Sequence, residues 1–251
     1  MKTILLATVA IVLLAVGSAS AADIRAPAYK APPPPPLYNW SGCFIGVAGG
    51  GAWGQSKHVS GGPFAPGLDI TNRYNLSGGI IGGTWGCNYQ VAPWAVIGTE
   101  SDFSWTNKQG SANDIPPFLP AAVSGTKEHW LSTTRVRVGV TPVDRGLLYI
   151  TGGLASARVE ATVNLPGVGT FSDTTTRWGW TVGAGVEYAL GARWSVKADY
   201  LYVRLNDRDY FNPPPVPGPG VVNVPVDDHI FRVGVNYNFG CILFCGGLGR
   251  Y

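Results

Sequence analysis

The stretch WGWTVGAGVEY, residues 178–188, sets Trp178, Trp180, Val182, Ala184, Val186 and Tyr188 at every second position. Gly179, Thr181, Gly183, Gly185 and Glu187 lie between them. A period of two means an extended strand with one apolar and one polar face. The pattern recurs in FRVGVNYNF (231–239), where Phe231, Val233, Val235, Tyr237 and Phe239 alternate with Arg232, Gly234, Asn236 and Asn238. In WSVKADYLY (194–202), Val196, Ala198, Tyr200 and Tyr202 oppose Lys197 and Asp199. In VIGTESDFSW (96–105), Ile97, Thr99, Phe103 and Trp105 oppose Glu100 and Asp102. In STTRVRVGV (132–140), Val136, Val138 and Val140 oppose Arg135 and Arg137.

Eight segments carry strand patterning: 40–54, 73–89, 94–106, 128–140, 147–159, 176–189, 194–205 and 228–239. Long polar or Gly/Pro-rich loops at 55–72, 107–127, 160–175 and 206–227 alternate with short turns at 90–93, 141–146 and 190–193. Loops at one end are therefore large and turns at the other tight. That asymmetry belongs to barrels that cross an outer membrane on antiparallel strands. The expected fold is all-β, an eight-stranded antiparallel up-and-down transmembrane β-barrel.

Alternation alone also fits a soluble sandwich, whose apolar face points inward. Three features weigh for lipid outside. The apolar faces end in aromatics, as interfacial girdles do. Eight is an even number that closes a barrel and leaves no edge. The inward set is charge-balanced, with Glu100, Asp102, Glu187 and Asp199 against Arg135, Arg137, Lys197 and Arg232. Desolvated charges are tolerated when paired, so an interior charge network is expected. Composition agrees: charged residues make up 13% of the chain, against about 25% in soluble domains. A net charge of +3 is too small and dispersed to argue for nucleic acid.

The chain opens with Lys2, an apolar run from Ile4 to Val16 and the small-residue site Ala19-Ser20-Ala21. That is the pattern of a cleaved signal peptide. The expected organisation is a signal peptide at 1–22, a Pro-rich periplasmic linker at 23–39, the outer-membrane barrel at 40–239 and a short periplasmic tail at 240–251. Pro32 to Pro36 should make the linker stiff.

The segments WSGCFIG (40–46), GCNYQ (86–90), GTESDFSW (98–105), GWTVGAGVEYAL (179–190), WSVKADYLYV (194–203) and FRVGVNYNF (231–239) together resemble the outer-membrane immunogenic protein family. These are porin-like barrels of alphaproteobacteria, related to the barrel domain of outer-membrane protein A. The resemblance covers the whole mature chain. It implies a structural envelope protein in the bacterial outer membrane, sometimes a minor pore, and no enzyme. It also implies an assembly signal in the last strand, at Arg232, Gly234, Tyr237 and Phe239. The implied partners are outer-membrane lipid and the barrel assembly machinery. The chain departs from the family's usual ending by continuing past Phe239 with GCILFCGGLGRY.

The cysteines are Cys43, Cys87, Cys241 and Cys245. Export makes disulfides the expected state. Cys43 and Cys87 fall near the same end of neighbouring strands, both on the outward face, so Cys43–Cys87 with Cys241–Cys245 is the favoured pairing. The last strand closes against the first, so Cys43–Cys241 is the rival. His58, His129 and His229 fall on external loops or strand ends and read as scattered, solvated side chains rather than a metal or haem site. GGIIGG (78–83) has no helix after it and reads as packing within a barrel wall.

The expected function is thus a structural outer-membrane barrel with at most a narrow pore, no catalytic residues, no metal and no cofactor. One alternative is binding of haem, metal or a host surface through the external loops. Another is a soluble secreted barrel holding an apolar ligand. Oligomeric state is left open.

Overall fold

In the computed structural model, residues 38–62, 65–215 and 220–240 are described. The signal peptide, most of the 23–39 linker and the tail cysteines Cys241 and Cys245 lie outside these residues. The strands are β1 (Gly42–Ser56), β2 (Val59–Ser60), β3 (Tyr74–Ala92), β4 (Ala95–Thr106), β5 (Gln109–Asn113), β6 (Val123–Val143), β7 (Gly146–Leu165), β8 (Gly169–Ala189), β9 (Trp194–Leu205), β10 (Asp209–Tyr210), β11 (Val222–Asn223) and β12 (Val226–Asn238). Eight of them close a ring in the order β1, β3, β4, β6, β7, β8, β9, β12 and back to β1. Every pairing is antiparallel. Closure satisfies the backbone of all eight within the wall, as a membrane-spanning sheet requires. The short strand β5 pairs with the outer parts of β3 and β6. Strands β10, β11 and β2 form a small separate sheet among the external connections.

The chemistry of the two faces changes along the strands. In the lower half of the wall the exposed outward residues are apolar: Val136, Val138, Ile150, Leu154, Val182, Val186, Val233 and Val235. Aromatics bound this belt. Trp94, Tyr188, Trp194 and Tyr237 lie by the short turns, and Trp53, Trp105, Trp130, Trp178, Trp180, Tyr200 and Tyr202 lie toward the long connections. A spanning strand needs about 9–11 residues, yet β7 has 20 and β8 has 21. Their excess extends past the upper aromatic ring.

In that extension the faces swap chemistry. Ala155, Ala157, Val159, Ala161 and Val163 of β7 point inward and are buried, whereas Arg158, Glu160 and Thr162 point outward. The buried set continues with Leu131, Leu201, Val203, Leu205, Tyr210, Val222, Val224, Val226 and Ile230. Fully burying such side chains contributes roughly 1.5–3 kcal/mol each. The upper part therefore holds together as a water-soluble barrel does.

This inversion corrects the expected loops. Residues 107–127 contain β5 and the start of β6, and most of 160–175 is strand. The upper strands carry their apolar residues on the face that is polar lower down. A search for apolar residues facing outward therefore stops at the aromatic ring.

The opposite mouth has its own closure. Trp40 is buried against Val96, Leu147, Tyr149 and Ala189. Its backbone amide donates to Gln90 Oε1 at 2.9 Å, and its ring meets Tyr38 edge-on at 4.9 Å. Cys43 and Cys87 are ladder partners on β1 and β3 and form a disulfide on the outward face near this end. The GGIIGG stretch lies inside β3, where a Cβ on Gly82 would meet Phe103 O at 2.2 Å. There the chain needs glycine for strand-to-strand contact.

The swap of faces predicts unequal responses at two outward positions of one strand. Ile150→Arg places a cation within the apolar belt and should cost about 2–4 kcal/mol of folding free energy in bilayers. Thr162→Arg, in the upper extension, should change it by less than about 0.5 kcal/mol. Urea titration of refolding into lipid vesicles measures both, and equal costs would place the boundary elsewhere.

Candidate functional site

The eight charged residues on the inward face of the lower wall converge in the lumen. Glu100 and Asp102 come from β4, Arg135 and Arg137 from β6, and Glu187 from β8. Lys197 and Asp199 come from β9, and Arg232 from β12. Each is at most 4% exposed. Strand parity aims them all inward, because they occupy alternate positions on strands whose other face is apolar.

Two contacts join ladder neighbours. Arg135 Nη2 donates to Glu100 Oε1 at 2.7 Å, and Arg232 Nε donates to Asp199 Oδ1 at 3.0 Å. Arg135 also reaches Asp102 Oδ2 at 2.7 Å. Further contacts cross the lumen. Lys197 Nζ donates to Glu100 Oε1 at 2.7 Å, although β9 and β4 stand opposite each other in the ring. Arg137 spans from Glu100 Oε2 at 2.8 Å to Glu187 Oε2 at 2.6 Å. Arg232 Nη1 lies 3.1 Å from Asp102 Oδ1. The ladder pair Glu187 and Lys197 thus turn away from each other, each toward a partner on another wall.

Neutral groups complete the network. Ser195 Oγ and Asn236 Nδ2 donate to Glu187 Oε1 at 2.6 and 2.9 Å, and Thr133 Oγ1 donates to Asp102 Oδ2 at 2.7 Å. The Arg137 guanidinium sits 4.2 Å from the centre of the Tyr149 ring, over its face. Four cations meet four anions, and hydrogen bonds take up further acceptor oxygens. Every acid in this layer is already bonded and sealed from solvent.

A second ionic group lies above it, in the upper extension. Lys108 Nζ donates to Glu128 Oε2 at 2.8 Å and bridges to Asp228, all three at most 2% exposed. Arg177 donates to the carbonyls of Asn206 and Val224 and so pins the loop between β9 and β12. Sequence reasoning missed these four. Asp228 was within reach, since Val226, Asp228, Ile230 and Arg232 share one face of β12. Lys108 sits in a stretch read as loop.

The histidines part company with the expectation of three solvated side chains. His58 is 0% exposed. Its Nε2 lies 3.3 Å from Thr126 Oγ1, and its carbonyl accepts from the Ile70 amide at 2.7 Å. The short polar loop hid this, because the burial comes from β6 and the 70–74 segment folding over it. His129 Nε2 instead pairs with Glu160 Oε2 at 2.8 Å, and His229 Nδ1 with the Tyr200 hydroxyl at 2.5 Å. The three rings thus serve three separate partners. Among the described residues, no group of three or more His, Cys, Asp or Glu side chains is placed to hold a metal.

Of the last-strand positions, Arg232 and Gly234 face the lumen. Tyr237 faces outward and meets Trp194 edge-on, ring centres 5.0 Å apart. Phe239 is exposed just beyond β12, its amide bonded to the Cys43 carbonyl at 2.9 Å.

A closed eight-stranded ring with an apolar belt, two aromatic borders and a neutralised ionic lumen defines a transmembrane barrel of the outer membrane. The chain belongs to the outer membrane protein beta-barrel domain family, whose model matches residues 9–239. It is similar to the 31 kDa outer-membrane immunogenic protein of Brucella melitensis, with 34% identity over 95% of this chain and all of the relative. The 25 kDa outer-membrane immunogenic protein of Brucella canis is 27% identical over 81% of each chain. The crystal structure of the outer membrane protein OprG from Pseudomonas aeruginosa is similar over 81% of this chain and 99% of that one, at 15% identity and a TM-score of 0.48. The family match makes the protein an outer-membrane barrel, and the soluble alternative gives way.

Two predictions follow from the buried groups. Arg135→Met leaves the lumen one positive charge short and should destabilise the barrel by about 3–5 kcal/mol. Adding Asp102→Asn restores neutrality and should recover part of that loss, measured as a double-mutant cycle in vesicles; strict additivity would mean the two charges are not coupled. For His58, burial lowers the pKa from 6.5 to about 4. The opened loop therefore binds the proton more tightly than the closed one, so stability from the neutral ring is present above pH 6.5 and lost as pH falls toward 4. The loss by pH 4 should be about 3 kcal/mol. The protection factor of the Ile70 amide, its hydrogen exchange corrected for the intrinsic rate at each pH, should fall over that range in the unmodified protein and not in His58→Phe.

Proposed function

We propose that this protein is a structural, non-catalytic barrel of the outer membrane whose lumen does not conduct solutes. The observation that carries this reading is the ionic layer spanning the full diameter between β9 and β4, through Lys197 and Glu100. A solute would have to break pairs whose partners are then left buried and alone, each at a cost of several kcal/mol. The apolar core above and the Trp40 plug below support the same reading. So does the lack of solvent access to any interior acid, since general acid–base chemistry needs a group within reach of a substrate. The last strand's Arg232, Gly234, Tyr237 and Phe239 fit a role as the segment read by the barrel assembly machinery.

The upper extension favours a second, compatible role. A cored barrel wall holds the external connections clear of the membrane, which suits contact with a host surface or another ligand.

Planar-bilayer recording tests the main reading. The purified full-length protein should give no steady unitary conductance in 1 M salt. A large, stable conductance would support a porin and overturn the sealed-barrel reading.

A further inference from the structure

On the outward face, β3, β1, β12 and β9 lie side by side. Their register puts Ser77, Trp53, His229 and Tyr202 in one row, and Asn75, Gln55, Asp227 and Arg204 in the row above. These rows border a groove of about 730 Å³, to which Arg73 adds a guanidinium. The Trp53 ring stacks on His229 with planes 13° apart. Its neighbour on the other side is Ser77, too small to cover the ring's second face. Asp227 already engages Tyr202 at 3.3 Å and Arg204 at 3.7 Å, and among the described residues lining the groove Arg73 is the cation that forms no ion pair.

The row below is Gly79, Gly51, Phe231 and Tyr200. A Cβ built on Gly51 meets nothing within 4 Å, and one on Gly79 has nothing nearer than Asn107 Oδ1 at 3.7 Å. These glycines are therefore not demanded by close packing of the wall. With no side chain at either position, the outward face just below the polar groove is bare between Ile81 and Phe231. An open ring face, a cation and amide groups at headgroup height, over a strip of wall without side chains, match one kind of molecule.

We propose that this groove binds a single outer-leaflet saccharolipid. A sugar of the headgroup lies on Trp53, its phosphate or carboxylate meets Arg73, and one acyl chain runs over Gly51 and Gly79. Nonspecific annular lipid would touch all sides of the barrel alike. A seated lipid depends on this side only.

The test uses the full-length protein in nanodiscs, with purified deep-rough lipopolysaccharide as the probe and native mass spectrometry as the readout. Gly51→Leu fills the bare strip, where an added Cβ meets nothing within 4 Å, and Arg73→Ala removes the cation. Each should weaken binding by about tenfold. Gly152→Leu is the control, because it lies on β7 across the barrel, where an added Cβ has no contact nearer than 3.6 Å. It should bind as the unmodified protein does. Phosphatidylglycerol should compete at least tenfold less well. Equal binding by all variants, or equal competition by phosphatidylglycerol, would overturn the proposal. Retained heat-dependent gel mobility verifies that each variant is folded.

Discussion

Charges sealed inside a narrow barrel must be matched by opposite charges within hydrogen-bonding reach, and this requirement governs much of the lower structure. The contacts of Lys197, Arg137 and Arg232 tie non-adjacent strands across the lumen. A wall held only by neighbouring ladders could slip by one residue without losing hydrogen bonds. Here such a slip would turn a strand's charges into the apolar belt and its valines into the lumen. The ion network therefore sets register as well as closing the lumen. Neutrality matters more than any single pair, because a buried ion pair adds little net stability and an unpaired buried ion costs much.

The same backbone parity serves two solvents. Within the belt, the outward residue meets lipid and the inward residue meets other side chains or ions. Above the aromatic ring, the outward residue meets water, so the apolar residues move to the inside. In β7, Ile150 and Leu154 face out while Val159 and Val163 face in, with no break in the alternation. In β6 a bulge at His129 shifts parity just where this crossover falls. The polar groove around Trp53 sits at the same height, where headgroup chemistry replaces hydrocarbon.

Three different devices fill the interior along its length: aliphatic packing in the extension, ionic pairing in the belt, and an indole plug at the short-turn mouth. Each suits its surroundings. Aliphatic packing works where water lies outside. Ions in the belt let the inward face stay polar, so that the strand shows only one apolar side to lipid. The plug is supplied by chain just ahead of β1, so the approach to the barrel and its closure are one feature.

Period-two patterning and loop asymmetry were enough to read the eight-strand barrel and its outward belt, and the same parity turns the eight charged positions of the lower wall inward. These depend on nearest neighbours and on strand parity, which a linear chain displays directly. The Cys43–Cys87 pairing was legible for the same reason, since it joins adjacent strands near one end. Which acid each cation takes was not legible. Partners such as Lys197 and Glu100 are brought together by the curvature of the closed wall, and sequence spacing carries no record of it. Burial of His58, Lys108 and Glu128 was hidden likewise, because short polar stretches become interior only when other strands fold over them. Part of the upper core, including Ala161, Val163, Val222 and Val224, was read as loop, because hydrophobicity says which residues avoid water but not which side of the wall is wet. That was decided by where the barrel leaves the membrane, a property of the assembled structure.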